Sequence, residues 1–228
     1  MFVKICGLTS ADAVAAAVEA GADAIGFVFA PSPRQIAPED AAALCRNVPR
    51  NVVRVAVMRH PTREYCERVL EALAPDWLQT DAEDFAGLEL PPSCTALPVY
   101  REGTTPFARR KSDAERRDGV GVGVGVGVGV GVGVGASAPR EPLPPRLLFE
   151  GTQSGAGRAS DWDEARALAT ATELVLAGGL HIGNVAAAIE RVRPFGVDVS
   201  SGVERSRGQK DPVMIKEFVA RVRALEAS

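Results

Sequence analysis

Short apolar runs alternate with amphipathic helical segments along almost the whole chain. The apolar runs are hydrophobic at nearly every position and end in turn residues, which is typical of parallel strands buried on both faces. They lie at 2–6, 24–29, 52–58, 77–79, 95–100, 146–150, 174–177 and 197–200. Helical segments are predicted between them at 11–20, 38–46, 62–73, 161–169, 184–192 and 211–225. Eight strands with intervening helices in 228 residues predict an α/β fold, a single (β/α)8 barrel or TIM barrel.

One segment breaks this alternation at the place of the fifth helix. Residues 119–135 are a strict repeat of glycine and valine. Glycine is costly in a helix, and a strand with glycine at every second position has one face with nothing to pack. We therefore predict one domain over residues 1–228, in which this low-complexity insertion shortens or replaces the fifth helix. A disordered insertion is the favoured interpretation, and an aggregation-prone strand is the alternative.

Composition and charge narrow the classes of partner. The formal net charge of −3 gives no basic surface for nucleic acid. No apolar stretch reaches the roughly 18 residues that span a bilayer, and the first residues lack the features of a signal peptide. The four cysteines are widely scattered, with neither zinc-type spacing nor the density of a disulfide scaffold. We expect a cytoplasmic protein with reduced thiols and without nucleic-acid or membrane partners.

Three reactive side chains end or follow predicted strands, which is where (β/α)8 barrels carry their catalytic residues. Cys6 ends the first strand near a predicted helix N-terminus, which could hold a thiolate as base or nucleophile; a buried, inert thiol is the alternative. Arg34 follows the second strand in a loop with two prolines. Its guanidinium could bind a carboxylate through two hydrogen bonds, or it could be a solvated loop residue. Glu150 ends the sixth strand and is either a general acid or base or a rim residue in an ion pair.

Loops rich in glycine and serine follow the last three strands. They are Ser-Gly-Ala-Gly at 154–157, Ala-Gly-Gly-Leu at 177–180 and Ser-Ser-Gly at 200–202. Barrels often bind phosphate with backbone N–H groups after strands seven and eight, so the three loops predict a phosphorylated small-molecule substrate, although each could be a simple turn. His60 and His181 are far apart in sequence and lack a plausible metal-ligand neighbour. We expect no metal and no cofactor.

Four motifs together resemble the phosphoribosylanthranilate isomerases of tryptophan biosynthesis. They are Lys-Ile-Cys-Gly-Leu-Thr at 4–9, Gly-Phe-Val-Phe at 26–29 with Ser-Pro-Arg at 32–34, Leu-Ala-Gly-Gly-Leu at 176–180, and Gly-Val-Asp-Val-Ser-Ser-Gly-Val-Glu at 196–204. The resemblance runs from Phe2 to the last helix and excludes residues 100–145. It implies a (β/α)8 barrel that performs a cofactor-free Amadori rearrangement. The substrate would be N-(5-phosphoribosyl)anthranilate and the product 1-(2-carboxyphenylamino)-1-deoxyribulose 5-phosphate.

The resemblance also implies roles for individual residues. Cys6 matches the base of the family, and Arg34 matches the arginine that holds the anthranilate carboxylate. Asp198 matches a carboxylate on the ribose side. The positions at which the family binds phosphate are Gly178, Gly179, Ser200 and Ser201.

Two strand ends depart from the family pattern. The general acid of the family is usually an aspartate after the sixth strand, where this chain has Phe149 and then Glu150. We assign the acid to Glu150, which requires a backbone shift of about 1 Å; without that shift Phe149 aligns with the acid. The fourth strand ends in Leu-Gln-Thr-Asp at 78–81, where the family commonly has histidine and glycine. Two alternatives therefore stay open: a catalytically degenerate barrel that binds a phosphosugar, and another phosphosugar isomerase of the same fold. The oligomeric state, monomer or homodimer, is also open.

Overall fold

Eight parallel strands close into a barrel in chain order, because β1 pairs with both β2 and β8. The computed structural model describes residues 1–105, 142–152 and 160–226. The strands are β1 Phe2–Cys6, β2 Ala24–Val28, β3 Val53–Val57, β4 Trp77–Asp81, β5 Thr95–Arg101, β6 Arg146–Glu150, β7 Glu173–Leu176 and β8 Gly196–Val199. The predicted barrel is confirmed, and no predicted strand end differs from the observed one by more than two residues.

Helices cover the outside of the barrel. They are α1 Ala11–Glu19, α2 Pro38–Leu44, α3 Arg63–Leu73, α4 Trp162–Ala169, α5 Val185–Val192 and α6 Pro212–Glu226, all within two residues of the predicted bounds. The side chains of Ser10, Thr62 and Asp161 accept hydrogen bonds from first-turn N–H groups of α1, α3 and α4, and so fix where these helices begin. After β4 the chain forms a 3-10 helix, Ala82–Gly87. Among the described residues, no helix combines the length and the apolar composition that crossing a membrane requires.

Two sequence-based predictions fall outside the described residues. They are the glycine–valine segment at 119–135 and the loop at 154–157. The extent of the single domain stays a prediction for the same reason. The sequence analysis missed two small elements, the 3-10 helix after β4 and a hairpin of β9 Glu204–Ser206 and β10 Gln209–Lys210 after β8.

The two faces of each strand have different surroundings, the helices on one side and the barrel interior on the other. Apolar side chains that point outward pack against the helices, and among them Ile5, Phe27 and Phe149 are almost completely buried. Side chains alternate along a strand, so the residues between them point into the barrel. At the amino-terminal end of the barrel Phe2 stacks on Trp77 and on Phe195, with ring centroids 5.2 and 5.5 Å apart. The Arg146 guanidinium covers the Trp77 and Phe195 rings, so this end of the barrel is filled by aromatic packing and one cation.

Candidate active site

A cavity of about 240 Å³ lies at the carboxyl ends of the barrel strands. Its walls carry side chains from β1, β4, β5 and β6 and from the end of β8, which the inward alternation brings to one place. Charged groups of both signs converge there, an arrangement suited to proton transfer on a small anionic ligand. The polar residues that line it include Cys6, Arg34, Gln79, Asp81, Arg101, Glu150, Asp198 and Ser200.

Cys6 belongs to a buried cluster at the junction of β1 with β2 and β8. Lys4 Nζ donates a hydrogen bond to Asp198 Oδ1 at 2.8 Å, and the Lys4 side chain is completely buried. In the strand register Lys4 lies opposite Asp198, and Cys6 lies opposite Gly26. A Cβ atom at Gly26 would be 3.2 Å from Cys6 Sγ and 3.3 Å from Lys4 Nζ. Glycine at this position therefore leaves room for the thiol and the ammonium to lie side by side.

The Cys6 thiol experiences opposing influences on its ionisation. Burial raises its pKa and is the largest influence, the positive charge of Lys4 lowers it, and the negative charge of Asp198 raises it. The net effect is a raised pKa, which favours the neutral thiol. Helix α1 begins at Ala11, with Ser10 as its N-cap. The largest influence that lowers the pKa of Cys6 thus comes from Lys4, a buried lysine on the same strand.

Arg34 is held along one edge of its guanidinium by Glu204. Its Nε donates to Glu204 Oε1 at 2.6 Å, and its Nη2 donates to Oε2 at 3.0 Å. Lys210 Nζ and the Gly208 N–H also donate to this carboxylate. Burial opposes the ionisation of Glu204, but these hydrogen bonds outweigh burial and lower its pKa to about 2. Since a guanidinium has five N–H groups, the Nη1 end of Arg34 can still donate to a ligand carboxylate.

The backbone after β1 also depends on Arg34. Gly7 has a φ of 78°, and a Cβ atom there would lie 2.6 Å from Arg34 Cδ. A side chain at position 7 would therefore strain the backbone and displace the arginine. The Lys-Ile-Cys-Gly motif thus supplies the thiol and also the space in which Arg34 lies.

Glu150, and not Phe149, faces the cavity. Phe149 is completely buried in the outer apolar layer, whereas Glu150 lines the cavity wall. Arg101 donates from Nη1 to Glu150 at 2.5 Å and from Nη2 to Asp81 at 2.6 Å. Two carboxylates from β4 and β6 thus share one guanidinium from β5, and the ion pair that the sequence left open for Glu150 is present within the site.

Sequence reasoning missed three members of this wall. Asp81 and Arg101 lie beyond the predicted ends of strands four and five, although a search for charged residues just after those ends would have found them. Gln79 is on the same face of β4 as Asp81; its Oε1 is buried and has no hydrogen-bond partner among the described residues. Nothing in the sequence indicates that this amide oxygen is unpaired.

The expectation that His60 has no plausible metal-ligand neighbour is wrong. Ligand atoms of His60, Asp81 and Glu83 lie within 4.8 Å of one another, and His60 Nδ1 is 2.9 Å from Asp84. His60 lies in the loop after β3, whereas the carboxylates lie at the end of β4 and in the 3-10 helix that follows, and sequence spacing alone does not reveal that they meet. Because Arg101 already places a positive charge on Asp81, we interpret the cluster as ion pairs.

The loops after β7 and β8 lie against each other. His181 forms a β-bridge with Gly202, and a Cβ atom at Gly202 would be 1.9 Å from the Leu180 carbonyl oxygen. Asn184 stabilises the loop after β7, because its Nδ2 donates a hydrogen bond to the Gly179 carbonyl and its Oδ1 accepts one from the His181 N–H. This contact brings the two predicted phosphate loops together, with Gly178 and Gly179 on one and Ser200 and Ser201 on the other. Of these four residues, Ser200 lines the cavity wall.

Fold and cavity together define a (β/α)8-barrel enzyme with acid–base groups at the carboxyl ends of its strands. The family model described as N-(5'-phosphoribosyl)anthranilate (PRA) isomerase matches residues 3–86 and 117–221. An N-(5'-phosphoribosyl)anthranilate isomerase of Listeria monocytogenes is 37% identical over 227 residues, which cover 99% of this chain and 100% of that protein. The chain belongs to the N-(5'-phosphoribosyl)anthranilate isomerase family.

Solved structures agree with this assignment. The phosphoribosyl anthranilate isomerase of Thermotoga maritima superimposes with a TM-score of 0.72 at 29% identity, covering 98% of this chain and 99% of that one. A solved structure of a phosphoribosyl anthranilate isomerase in complex with reduced 1-(o-carboxyphenylamino)-1-deoxyribulose 5-phosphate gives a TM-score of 0.69 at 28% identity with the same coverage. The predictions of the family, of its fold and of an isomerase of tryptophan biosynthesis are confirmed.

Proposed function

We propose that this barrel converts N-(5'-phosphoribosyl)anthranilate into 1-(2-carboxyphenylamino)-1-deoxyribulose 5-phosphate, with Glu150 as general acid and Cys6 as base. The observation that carries the proposal is the shared cavity, because Cys6 on β1 and Glu150 on β6 both line it. The two strands are not neighbours in the barrel. A substrate between them can therefore meet the acid and the base on different sides.

In the first step Glu150 gives its proton to the furanose ring oxygen. The bond from C1 to that oxygen breaks, and the lone pair of the anthranilate nitrogen forms the C1=N bond of a Schiff base. Arg101 Nη1 donates a hydrogen bond to Glu150, which holds this carboxyl group at the cavity wall.

In the second step the Cys6 thiolate removes the proton from C2. The C2–H electron pair forms a C1=C2 bond, and the electrons of the C1=N bond return to nitrogen, which gives a neutral enolamine. Cys6 then returns its proton to C1, while the ionised Glu150 takes the proton of the C2 hydroxyl. The product is the amino ketone, and both groups regain their initial states.

The remaining site residues would hold the substrate. The Nη1 end of Arg34 points away from the edge that Glu204 occupies and suits the anthranilate carboxylate. Asp198 binds Lys4 through one oxygen, and its other oxygen can accept a ribose hydroxyl. The phosphate would bind at the adjoining loops with Gly178, Gly179, Ser200 and Ser201, whose contact at Gly202 supports a single anion site.

We also propose a domain organisation, an oligomeric state and a cellular location for the enzyme. We infer a single domain over residues 1–228 that acts as a monomer or homodimer in the cytoplasm on a phosphosugar. Solved relatives include a dimeric isomerase of Thermotoga maritima and monomers generated from it. All four cysteines, at positions 6, 45, 66 and 94, are free, which fits a reducing compartment.

Two substitutions test the assigned roles. Cys6→Ala and Glu150→Ala should each lower kcat/KM by about 10²- to 10⁴-fold, the usual contribution of a general acid or base. Glu19→Gln is the matched control, because Glu19 is an exposed carboxylate on α1 that pairs with Lys216. Circular dichroism checks that each variant is folded. An unchanged kcat/KM in a folded Cys6 or Glu150 variant would show that the role assigned to that residue is wrong.

A further inference from the structure

Lys4 is a completely buried cation that the reaction steps above do not use. An ammonium group inside a protein is unfavourable unless other groups compensate its charge. Lys4 is on β1 two residues before Cys6, so both side chains point into the barrel. Its relative exposure is 0%, so it does not act as a solvated surface charge. A charge retained at this depth calls for a partner, and the barrel supplies two.

The first partner is Asp198 and the second is Cys6. Asp198 accepts the hydrogen bond from Lys4 Nζ at 2.8 Å and therefore fixes the position of the ammonium. Lys4 also forms a side-chain hydrogen bond with Cys6. Both Lys4 Nζ and Cys6 Sγ lie 3.2–3.3 Å from the point where a Cβ at Gly26 would stand, so the absence of a side chain there leaves room for this contact. Lys4 thus lies between the Asp198 carboxylate and the Cys6 thiol.

We propose that Lys4 is a positioning residue that stabilises the Cys6 thiolate, with Asp198 as the anchor that holds Lys4 against the sulfur. The proposal rests on the proposed function, in which Cys6 is the base. When Cys6 releases its proton to solvent through the cavity, the sulfur becomes one member of a buried ion pair instead of an isolated buried anion. A base with this support can form at a site that is otherwise unfavourable to charge.

Other charged groups face Cys6 from neighbouring elements. Lys210 on β10 also lowers the pKa of the thiol, but its influence is smaller than that of Lys4. Its ammonium is bound to Glu204 at 2.6 Å and to the Ser200 carbonyl oxygen at 2.9 Å. The cavity wall also carries Arg34, Asp81, Arg101 and Glu150. Among these cations Lys4 exerts the largest influence on Cys6, so its removal should have a clear effect.

The test measures the ionisation of Cys6 directly. Folded wild type and variants are treated with iodoacetamide over a range of pH, and mass spectrometry of the Cys6 peptide gives the alkylation rate, because only the thiolate reacts. In Lys4→Met the pH midpoint of alkylation should rise by about 1–3 units, the usual effect of losing a close opposite charge. In Asp198→Asn it should fall, because the asparagine side-chain oxygen can still accept the hydrogen bond that anchors Lys4 while the negative charge beside the sulfur is removed.

The controls separate electrostatics from structural damage. Lys4→Met leaves the Asp198 charge unpaired and could prevent folding, so the double variant Lys4→Met with Asp198→Asn is included. Its midpoint should lie above that of the wild type and below that of Lys4→Met. Lys216→Met removes an exposed lysine that pairs with Glu19 and should leave the Cys6 midpoint unchanged. Cys45, half-buried on the outside of the barrel, provides an internal reference in every sample.

The outcomes for Lys4 and for the proposed function are distinguishable. A midpoint in Lys4→Met or in the double variant that equals or lies below that of the wild type would overturn the role of Lys4, as would an unchanged or raised midpoint in Asp198→Asn. None of these results depends on turnover. If Cys6→Ala retained full kcat/KM while the midpoints moved as described, Lys4 would still tune the thiol but Cys6 would not be the base.

Discussion

At the scale of single residues, the site is built from groups that hold one another in position. Glu204 orients Arg34, Arg101 joins Glu150 to Asp81, and Asp198 anchors Lys4. The residues nearest the reaction are therefore supported by oppositely charged neighbours that are themselves largely buried. Removing a supporting residue should change the position or the ionisation of the group it holds, which gives each pair its own measurable effect.

The Glu204 carboxylate predicts a specific loss of stability in acid. Its pKa of about 2 lies below the 4.5 of an unperturbed glutamate, so its contribution is complete above pH 4.5 and is lost as the pH falls toward 2. We expect wild type to exceed Glu204→Gln by about 1–3 kcal/mol in free energy of unfolding at pH 7, with the difference shrinking below pH 4.5. Urea unfolding of both proteins at several pH values measures this. A difference that is constant down to pH 2.5 would contradict the assigned cause.

Arg34 should be irreplaceable by lysine. A lysine keeps the positive charge but cannot donate along one edge to Glu204 and at its end to a substrate carboxylate. We expect Arg34→Lys to raise KM at least about tenfold. Arg63→Lys, at an exposed arginine on α3, is the matched control and should leave KM unchanged. Steady-state kinetics measure KM for each variant. An unaltered KM in Arg34→Lys would show that Arg34 does not bind the substrate carboxylate.

At the scale of elements, the contact between the loops after β7 and β8 depends on one residue without a side chain. Gly202→Ala would place a methyl group 1.9 Å from the Leu180 carbonyl oxygen, so the two loops must separate. We expect this variant to bind the reduced product analogue at least about tenfold more weakly, because an anion site formed by two loops loses its geometry. Isothermal titration calorimetry measures the loss.

Gly87→Ala is the control for that prediction. Gly87 ends the 3-10 helix after β4, and a Cβ atom there would meet nothing within 4 Å. The affinity of this variant for the analogue should equal that of the wild type. Equal affinities for Gly202→Ala and the wild type would mean that the two loops do not form a common phosphate site.

The strands and helices of the barrel could be predicted from the sequence, whereas some of the residues that line the cavity could not. Buried parallel strands are apolar throughout and helix starts carry capping residues, so the barrel strands and the helices were predicted to within two residues. Cys6 and Glu150, which both line the cavity, were singled out as candidates because each directly ends such a strand. Asp81 and Arg101 were missed because β4 and β5 continue past their apolar positions into polar ones. Pairing within the barrel holds those residues in the strands, and local composition does not encode it.

At the scale of the whole molecule, closure of the barrel creates the site. Lys4 and Asp198 are 194 positions apart in sequence, and they meet because β1 pairs with β8. The motifs at both ends of the chain indicated a shared site, but the register that sets Lys4 opposite Asp198 follows only from closure. The glycine beside them, Gly26, comes from a third strand. Such contacts depend on three strands at once, which explains why sequence spacing did not reveal the pairing of Lys4 with Asp198.

We propose that this barrel is an active isomerase, although Glu150 stands where the family usually has an aspartate. The most direct test is turnover of freshly prepared N-(5'-phosphoribosyl)anthranilate by the purified wild-type protein, followed as the loss of anthranilate fluorescence. We predict a saturable rate that is proportional to the amount of protein. A folded wild-type sample that binds the reduced product analogue, yet shows no turnover above the protein-free rate, would contradict the account and indicate a barrel that only binds the phosphosugar.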